Sequence, residues 1–449
     1  MVWTDVGPYQ DITFDKDGDV DPEQRDRLLG VEATDVVLFA HGWNTSPAVA
    51  ERLYATFFAY FPELVGPGVR LGYAGVVWPS MRFGDEPLPQ LPGAALPVAP
   101  STGLDAASRQ ALAGLFPGHT GTVARLAALL DERPASASAV AEFGRLARRL
   151  AEAPAGGLET SCFTDDLPGD EQGPPAVLFE DPLAFSRRLA HALAKVDDGA
   201  RTGPVPTFGF DPPDGWDGLW RGAKELLRQS TYYAMKRRAG TVGELGLGPL
   251  VAQLARSRPA LRIHLVGHSQ GARLVAFALR GLPDGVRTVK SVTLLQGAFS
   301  HYAFAHALPH AAGRSGALRS MEQRVDGPVV ACHSHHDTAL GTFYPLASGL
   351  ARDDRSAHHL DGAPGAAPIP FPDPGPRWWA VGHDGFRAAP HAPRLTLADA
   401  LASGLPRAGC VSVDVSSVVH RGGPPSGAHN DICHPELAQL VVEAGRLGD

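Results

Sequence analysis

Residues 261–266 form an apolar run rich in branched side chains (Leu261, Ile263, Leu265, Val266) that stops at Gly267. Ser269 stands two places after that glycine, Gly271 two places further on, and an apolar helical pattern then occupies residues 272–280. The order predicts a strand, a sharp turn and a helix. A serine on such a turn is forced into strained backbone geometry, which a neighbouring side chain would obstruct. Gly267 and Gly271 therefore let strand and helix approach while the Ser269 hydroxyl stands clear. In a chain with 51 glycines the pattern Gly-x-Ser-x-Gly is weak by itself. The strand before it and the helix after it give it weight.

At 449 residues the chain has the length of roughly three domains, or of one α/β domain with long insertions. Hydrophobic residues at 44% and charged residues at 20% describe a soluble globular protein. A formal net charge of −8 provides no basic footprint for nucleic acid, and no Lys/Arg run beside an amphipathic helix points to a membrane surface. The first residues lack a basic stretch followed by an apolar one, and nowhere does the chain approach 18 consecutive apolar residues. A cytoplasmic location without stable membrane insertion is expected. Cys162, Cys332, Cys410 and Cys433 lie far apart with no Cys-x-x-Cys spacing, so neither a disulfide framework nor a zinc site is indicated.

Residues 1–33 are polar and acidic and read as a solvated leader, with a helix-like stretch over 22–29. The spacing of Asp15, Asp17 and Asp19 suggests calcium only superficially, because the twelve-residue ligand pattern is incomplete. Residues 35–40 are an apolar run of strand length ending in His41, Gly42, Trp43 and Asn44. Val49, Leu53, Phe57 and Tyr60 then recur at helical spacing, and a second buried strand follows within 69–78. Alternating strands and helices predict an α/β fold, a mostly parallel central sheet with helices on both faces. From 80 to 240 the alternation breaks. Pro/Gly/Ala-rich stretches at 84–100 and 154–175 flank two short helices separated at Pro134, and another helix is expected over 181–195. This region reads as a helical cap or lid insertion, with a surface decoration as the plainer alternative. Its aromatic residues, among them Phe208, Phe210, Trp216, Trp220, Tyr232 and Tyr233, suit helix packing as well as an apolar pocket. The core resumes at 241–449 with strands near 291–296, 327–332 and 410–416, a Pro/Gly/His-rich loop insertion at 349–395 containing Trp378 and Trp379, and a closing helix over 435–443.

A serine hydroxyl is hardly ionised at neutral pH, so attack on a carbonyl needs a base within hydrogen-bond reach and a group to hold that base. Here residues 34–79 and 241–449, above all 267–271 and the His41–Gly42 loop, resemble the α/β-hydrolase superfamily in its serine esterase and lipase-like branch. The resemblance implies the order Ser, then Asp or Glu beyond a later strand, then His near the C-terminus. Asp337, five residues past the apolar run 329–332, is the acid this implies; Asp353, Asp354 and Asp361 lie in a polar loop. For the base the resemblance favours His429 over His434, which sits immediately before Pro435 and could flank the helix. His268 reads as support rather than base. The oxyanion donors implied are the backbone amides of Gln270 and, from the earlier loop, Trp43, whose indole would wall an acyl pocket.

The resulting expectation is a serine hydrolase that cleaves a carboxylic ester, thioester or lactone through an acyl-serine, without a cofactor, on a small-molecule or lipid-like substrate. Two other readings remain open. One is a binding or scaffold protein that keeps the fold without turnover. The other is a metal-dependent hydrolase using His333, His335, His336 and Asp337, although adjacent histidines on an extended chain point to opposite sides.

Overall fold

The structure is a computed structural model of the 449-residue chain. It describes residues 6–81, 83, 103–152, 166, 181–199, 215–343, 379–423 and 426–448. The loops expected at 84–100 and 154–175, and Cys162, Phe208, Phe210, Asp353, Asp354, Asp361 and Trp378, lie outside those residues, apart from Asp166 alone.

The fold is α/β. One eight-stranded sheet runs in the order β1-β3-β2-β4-β5-β6-β8-β7, and every pairing is parallel. Its strands are β1 (Tyr9–Thr13), β2 (Asp35–Ala40), β3 (Leu71–Val77), β4 (Arg262–His268), β5 (Val289–Leu295), β6 (Pro328–His333), β7 (Arg394–Thr396) and β8 (Gly409–Asp414). Period-two alternation serves two hydrophobic layers. Val36, Leu38 and Ala40 of β2 join Ile263, Leu265 and Leu294 on one face, while Val37 and Phe39 join Val266, Leu295 and Val330 on the other. Since both faces are covered, the central strands read as continuous apolar runs.

Helices α1 (Pro22–Leu29), α8 (Gly248–Ser257) and α9 (Gln270–Ala278) contribute to the first layer, and α2 (Pro47–Phe58) and the closing α12 (Pro435–Gly445) to the second. All nine residues of α9 are buried, so its polar members need internal partners. Arg273 has them: its guanidinium donates to Asp166 at 3.1 Å and to the Lys236 carbonyl at 2.8 Å. Asp166 also accepts from the Lys236 ammonium at 2.9 Å and from the Ser300 amide at 3.0 Å. Burial opposes its charge, but the two cations hold its carboxyl below the usual carboxylate range.

Residues 1–33 are not a solvated leader throughout. Tyr9 to Thr13 pair with Tyr73 to Val77 as an edge strand, Ile12 and Phe14 are buried, and Asp21 caps α1 by accepting from the Gln24 amide. Only Ile12 is buried within the strand itself, so its alternation is too short to show in the sequence. Within 80–240 the described residues form α3 (Ala106–Leu115), α4 (Thr120–Glu132), α5 (Ala137–Glu152), α6 (Pro182–Gly199) and α7 (Gly215–Thr241). The break at Pro134 separates α4 from α5 as expected. The boundary expected at 240/241 is not a break, because α7 runs through a π-helical turn at Val242–Leu247 directly into α8. Residues 379–395 are not all loop either. They contain α10 (Val381–Asp384) and the start of β7, which leads into α11 (Leu397–Ser403).

Strand order dictates where a crevice can form. From β2 the chain crosses to β3 on one side, whereas from β4 it crosses to β5 on the other, so the connections diverge between β2 and β4. In open parallel sheets ligands bind at that divergence, beyond the carboxyl ends of the strands. Register brings Ala40 opposite Gly267, His268 opposite Leu295, and Leu295 opposite Cys332. The loops carrying Gly42, Ser269, Gln296 and Asp337 therefore leave the sheet along one edge.

Candidate functional site

Ser269 has φ 56° and ψ −119°, a conformation that L residues avoid, and it joins β4 directly to α9. The strain, about 1–3 kcal/mol by the usual scale, is held by the surroundings. The Ser269 amide donates to the Leu295 carbonyl at 3.0 Å, and the Ser269 carbonyl accepts from the amides of Ala272 at 3.1 Å and Ala298 at 3.0 Å. Side chains at the flanking glycines would prevent this turn. A Cβ on Gly267 would stand 2.4 Å from the Gly271 carbonyl oxygen, and one on Gly271 would stand 2.1 Å from that of Ala40.

Three side chains from distant parts of the chain converge here. His429 Nε2 lies 2.8 Å from Ser269 Oγ, and His429 Nδ1 lies 2.7 Å from Asp337 Oδ2. The second oxygen of Asp337 accepts from the Leu340 amide at 2.9 Å. A carboxylate only accepts, so Nδ1 carries the imidazole proton and Nε2 accepts from the serine hydroxyl. Asp337 is fully buried, and Ser269 and His429 are nearly so, with residual side-chain exposure of 12% at His429.

The imidazole is also held from behind. His268 Nε2–H donates to the His429 carbonyl at 2.9 Å, and the two rings are 5.0 Å apart. Burial pushes the His268 pKa down to about 3, so the ring is neutral at ordinary pH. It supports the His429 backbone, as expected from its place beside Ser269. His434 does not compete: it precedes α12 and meets Asp431 at 2.9 Å. Behind Asp337 stands a group the sequence did not suggest, His383 of α10, whose ring packs against Gly341 and whose pKa burial pushes down.

The loop after β2 is fixed by an aromatic network. The His41 amide donates to Tyr54 Oη at 3.0 Å, Tyr54 Oη–H donates to the Val76 carbonyl at 2.7 Å, and Trp78 Nε1–H donates to the His41 carbonyl at 2.9 Å. Burial pushes the His41 pKa down to about 4, and its Nδ1 lies 2.9 Å from the Gly42 carbonyl. Beyond it the loop turns at Asn44, with φ 61°. Among the described residues the amides of Trp43 and Gln270 donate to no backbone carbonyl. The Trp43 indole meets Tyr232 of α7 edge-on at 5.7 Å, beside a small apolar cluster of Tyr232, Ala298, Leu340 and Ala380.

No family model, curated protein or solved structure matches the chain. The site must therefore be judged on its own geometry. Of the histidines weighed as metal ligands, His335 and His336 are exposed at 4.0 Å ring separation, while His333 is buried beneath Gly385. Asp337 faces away from them, toward His429. Among the described residues no group of three or more His, Cys, Asp or Glu side chains converges as metal ligands would. Likewise no described helix is long and apolar enough to cross a membrane. Cys332, Cys410 and Cys433 are free thiols.

Residue types and distances alone are ambiguous in this chain. At the opposite end of β4, His264 Nδ1 lies 2.9 Å from Ser291 Oγ and His264 Nε2 lies 3.1 Å from Asp35 Oδ1. All three residues are sealed, at 0–1% exposure. Ser291 lies inside β5 rather than on a turn. What distinguishes Ser269 is its positive-φ turn, its residual 6% exposure next to a partly exposed His429, and the unused amides beside it.

Proposed function

We propose that the protein is a serine hydrolase of the α/β-hydrolase type that cleaves a carboxylic ester, or a thioester or lactone, through an acyl-serine intermediate. The observation that carries this reading is the hydrogen-bonded chain Asp337–His429–Ser269, ending on a hydroxyl at a strained strand-to-helix turn. As Ser269 Oγ bonds to the substrate carbonyl carbon, its proton passes to His429 Nε2. Asp337 orients the ring and stabilises the imidazolium. The oxyanion is received by the amides of Trp43 and Gln270, groups worth on the order of 100-fold to 1000-fold each in turnover. On collapse His429 returns the proton to the leaving oxygen, or to the sulfur of a thioester, and a water molecule then repeats the cycle to release the acid. No cofactor takes part. Helices α3–α7 act as a cap, a role supported by the contact of Tyr232 on α7 with Trp43, the residue whose amide serves the oxyanion.

Hydrolysis of short p-nitrophenyl esters by the wild type and by Ser269→Ala, with and without chelator, tests this. Turnover and fluorophosphonate labelling that both vanish in Ser269→Ala are expected. Chelator-sensitive activity that survives the substitution would show a metal-dependent hydrolase. Absence of both turnover and labelling in the wild type would leave a binding protein.

A further inference from the structure

Two glutamines lie within one residue of the Ser269 backbone. Gln270 follows it, and Gln296 follows Leu295, whose carbonyl accepts the Ser269 amide at 3.0 Å. Both are fully buried. Among the described residues the side-chain oxygen and nitrogen of each are enclosed without a hydrogen-bond partner, and so is Trp43 Nε1. Gln296 also sits at φ 44°, a second strained residue beside the first. Native proteins pair nearly all such groups, and each one left unpaired makes the fold less stable. The five belong to residues that follow β2, β4 and β5, neighbouring strand ends of which the middle one carries Ser269, and Gln296 occupies the strand end between those of Ser269 and Asp337.

We infer that Gln270, Gln296 and Trp43 form a polar subsite that recognises a hydrogen-bonding substituent, a hydroxyl or an amide, on the acyl group close to the reacting carbonyl. The inference rests on the hydrolase reading and narrows its substrate class from esters in general to hydroxy- or amido-acyl esters. A carboxamide offers both a donor and an acceptor, so a hydroxyl, which is also both, can satisfy two of the atoms at once. A site built in this way rejects an isostere lacking the group, because its own polar atoms then stay unpaired. Since the atoms are enclosed in the free protein, the groups covering them must move before the substituent can reach them, and binding is an induced fit.

The test compares p-nitrophenyl 3-hydroxybutyrate with its apolar isostere p-nitrophenyl 3-methylbutyrate, in the wild type, Gln270→Met and Gln296→Met. The wild type is expected to favour the hydroxy ester in kcat/KM by on the order of 10-fold or more. Each substitution should bring that ratio toward 1, and the Tm should hold or rise, because an unpaired amide is replaced by an apolar chain of similar size. A wild-type ratio near 1, a ratio unchanged in both variants, or a Tm that falls by several degrees in both overturns the inference. Fluorophosphonate labelling of Ser269 separates the two levels. With labelling, those outcomes remove the subsite and leave the hydrolase; without labelling or turnover, both readings fall.

Discussion

Replacing Asp337 by asparagine changes one atom and sets two hydrogen bonds against each other. In the wild type one carboxylate oxygen accepts from His429 Nδ1 at 2.7 Å and the other from the Leu340 amide at 2.9 Å. Asparagine has one oxygen. If that oxygen keeps the Leu340 amide, the new NH2 faces His429 Nδ1, and the ring must move its proton to Nε2. Every group is then paired, but Nε2–H points at Ser269 Oγ and cannot receive its proton. If the oxygen turns to His429 instead, the NH2 faces the Leu340 N–H and a buried bond is lost, at about 1–3 kcal/mol. The first arrangement avoids that loss and should dominate. The variant should then fold with a stability within about 1 kcal/mol of wild type, while kcat falls by about 10,000-fold, the scale known for this substitution in a serine protease triad. That corresponds to about 5.5 kcal/mol of transition-state stabilisation. Stopped-assay kinetics on a p-nitrophenyl ester and a denaturant titration measure the two quantities. Activity within tenfold of wild type, in a variant that folds normally, would show that Asp337 does not set the imidazole tautomer and would refute the argument.

Further expectations follow from the same geometry. Gly271→Ala forces a Cβ to 2.1 Å from the Ala40 carbonyl oxygen and should destabilise the fold by about 3 kcal/mol, read by denaturant titration. Asp166→Ala removes the carboxylate shared by the buried Lys236 and Arg273 and should cost about 3–5 kcal/mol in the same assay. His268→Phe removes the donor to the His429 carbonyl and should lower kcat about tenfold with KM little changed, as loss of one positioning bond would. Stability should also fall in acid. The folded-state pKa of His41 is depressed from 6.5 to about 4, so below 6.5 the unfolded chain binds the extra proton and folding weakens as pH drops. From His41 alone the loss approaches about 3 kcal/mol near pH 4; denaturation midpoints that do not move between pH 7 and pH 4.5 would contradict this.

The parts of the molecule that could be read from the sequence are those in which local chemistry and tertiary role agree. β4, Ser269 and α9 are visible because strand alternation, two glycines and helical spacing occupy neighbouring positions, and β2 and β6 are visible because central strands are apolar throughout. Asp337 and His429 were reached through a resemblance, and the structure brings them to Ser269 through contacts spanning 92 and 160 residues that no local pattern encodes. β1 is not legible in sequence because an edge strand with one buried face needs only Ile12 and Phe14. α7 shows in the sequence only as a set of aromatics, because buried Lys224, Glu225, Arg228 and Gln229 interrupt its apolar stripe. The unpaired amides of Gln270 and Gln296 leave no trace in sequence at all, since burial without a partner is a property of coordinates.

β4 carries a serine–histidine–aspartate relay at each of its ends. Only one of them sits on a strand-to-helix turn with a partly exposed imidazole, so Ser291→Ala is the natural control for Ser269→Ala. Both substitutions delete one hydroxyl bonded to an imidazole beside the same strand, and only the one at the turn should silence chemistry. Geometric searches for such relays will score this strand twice, and reactivity is decided by which end a carbonyl can reach.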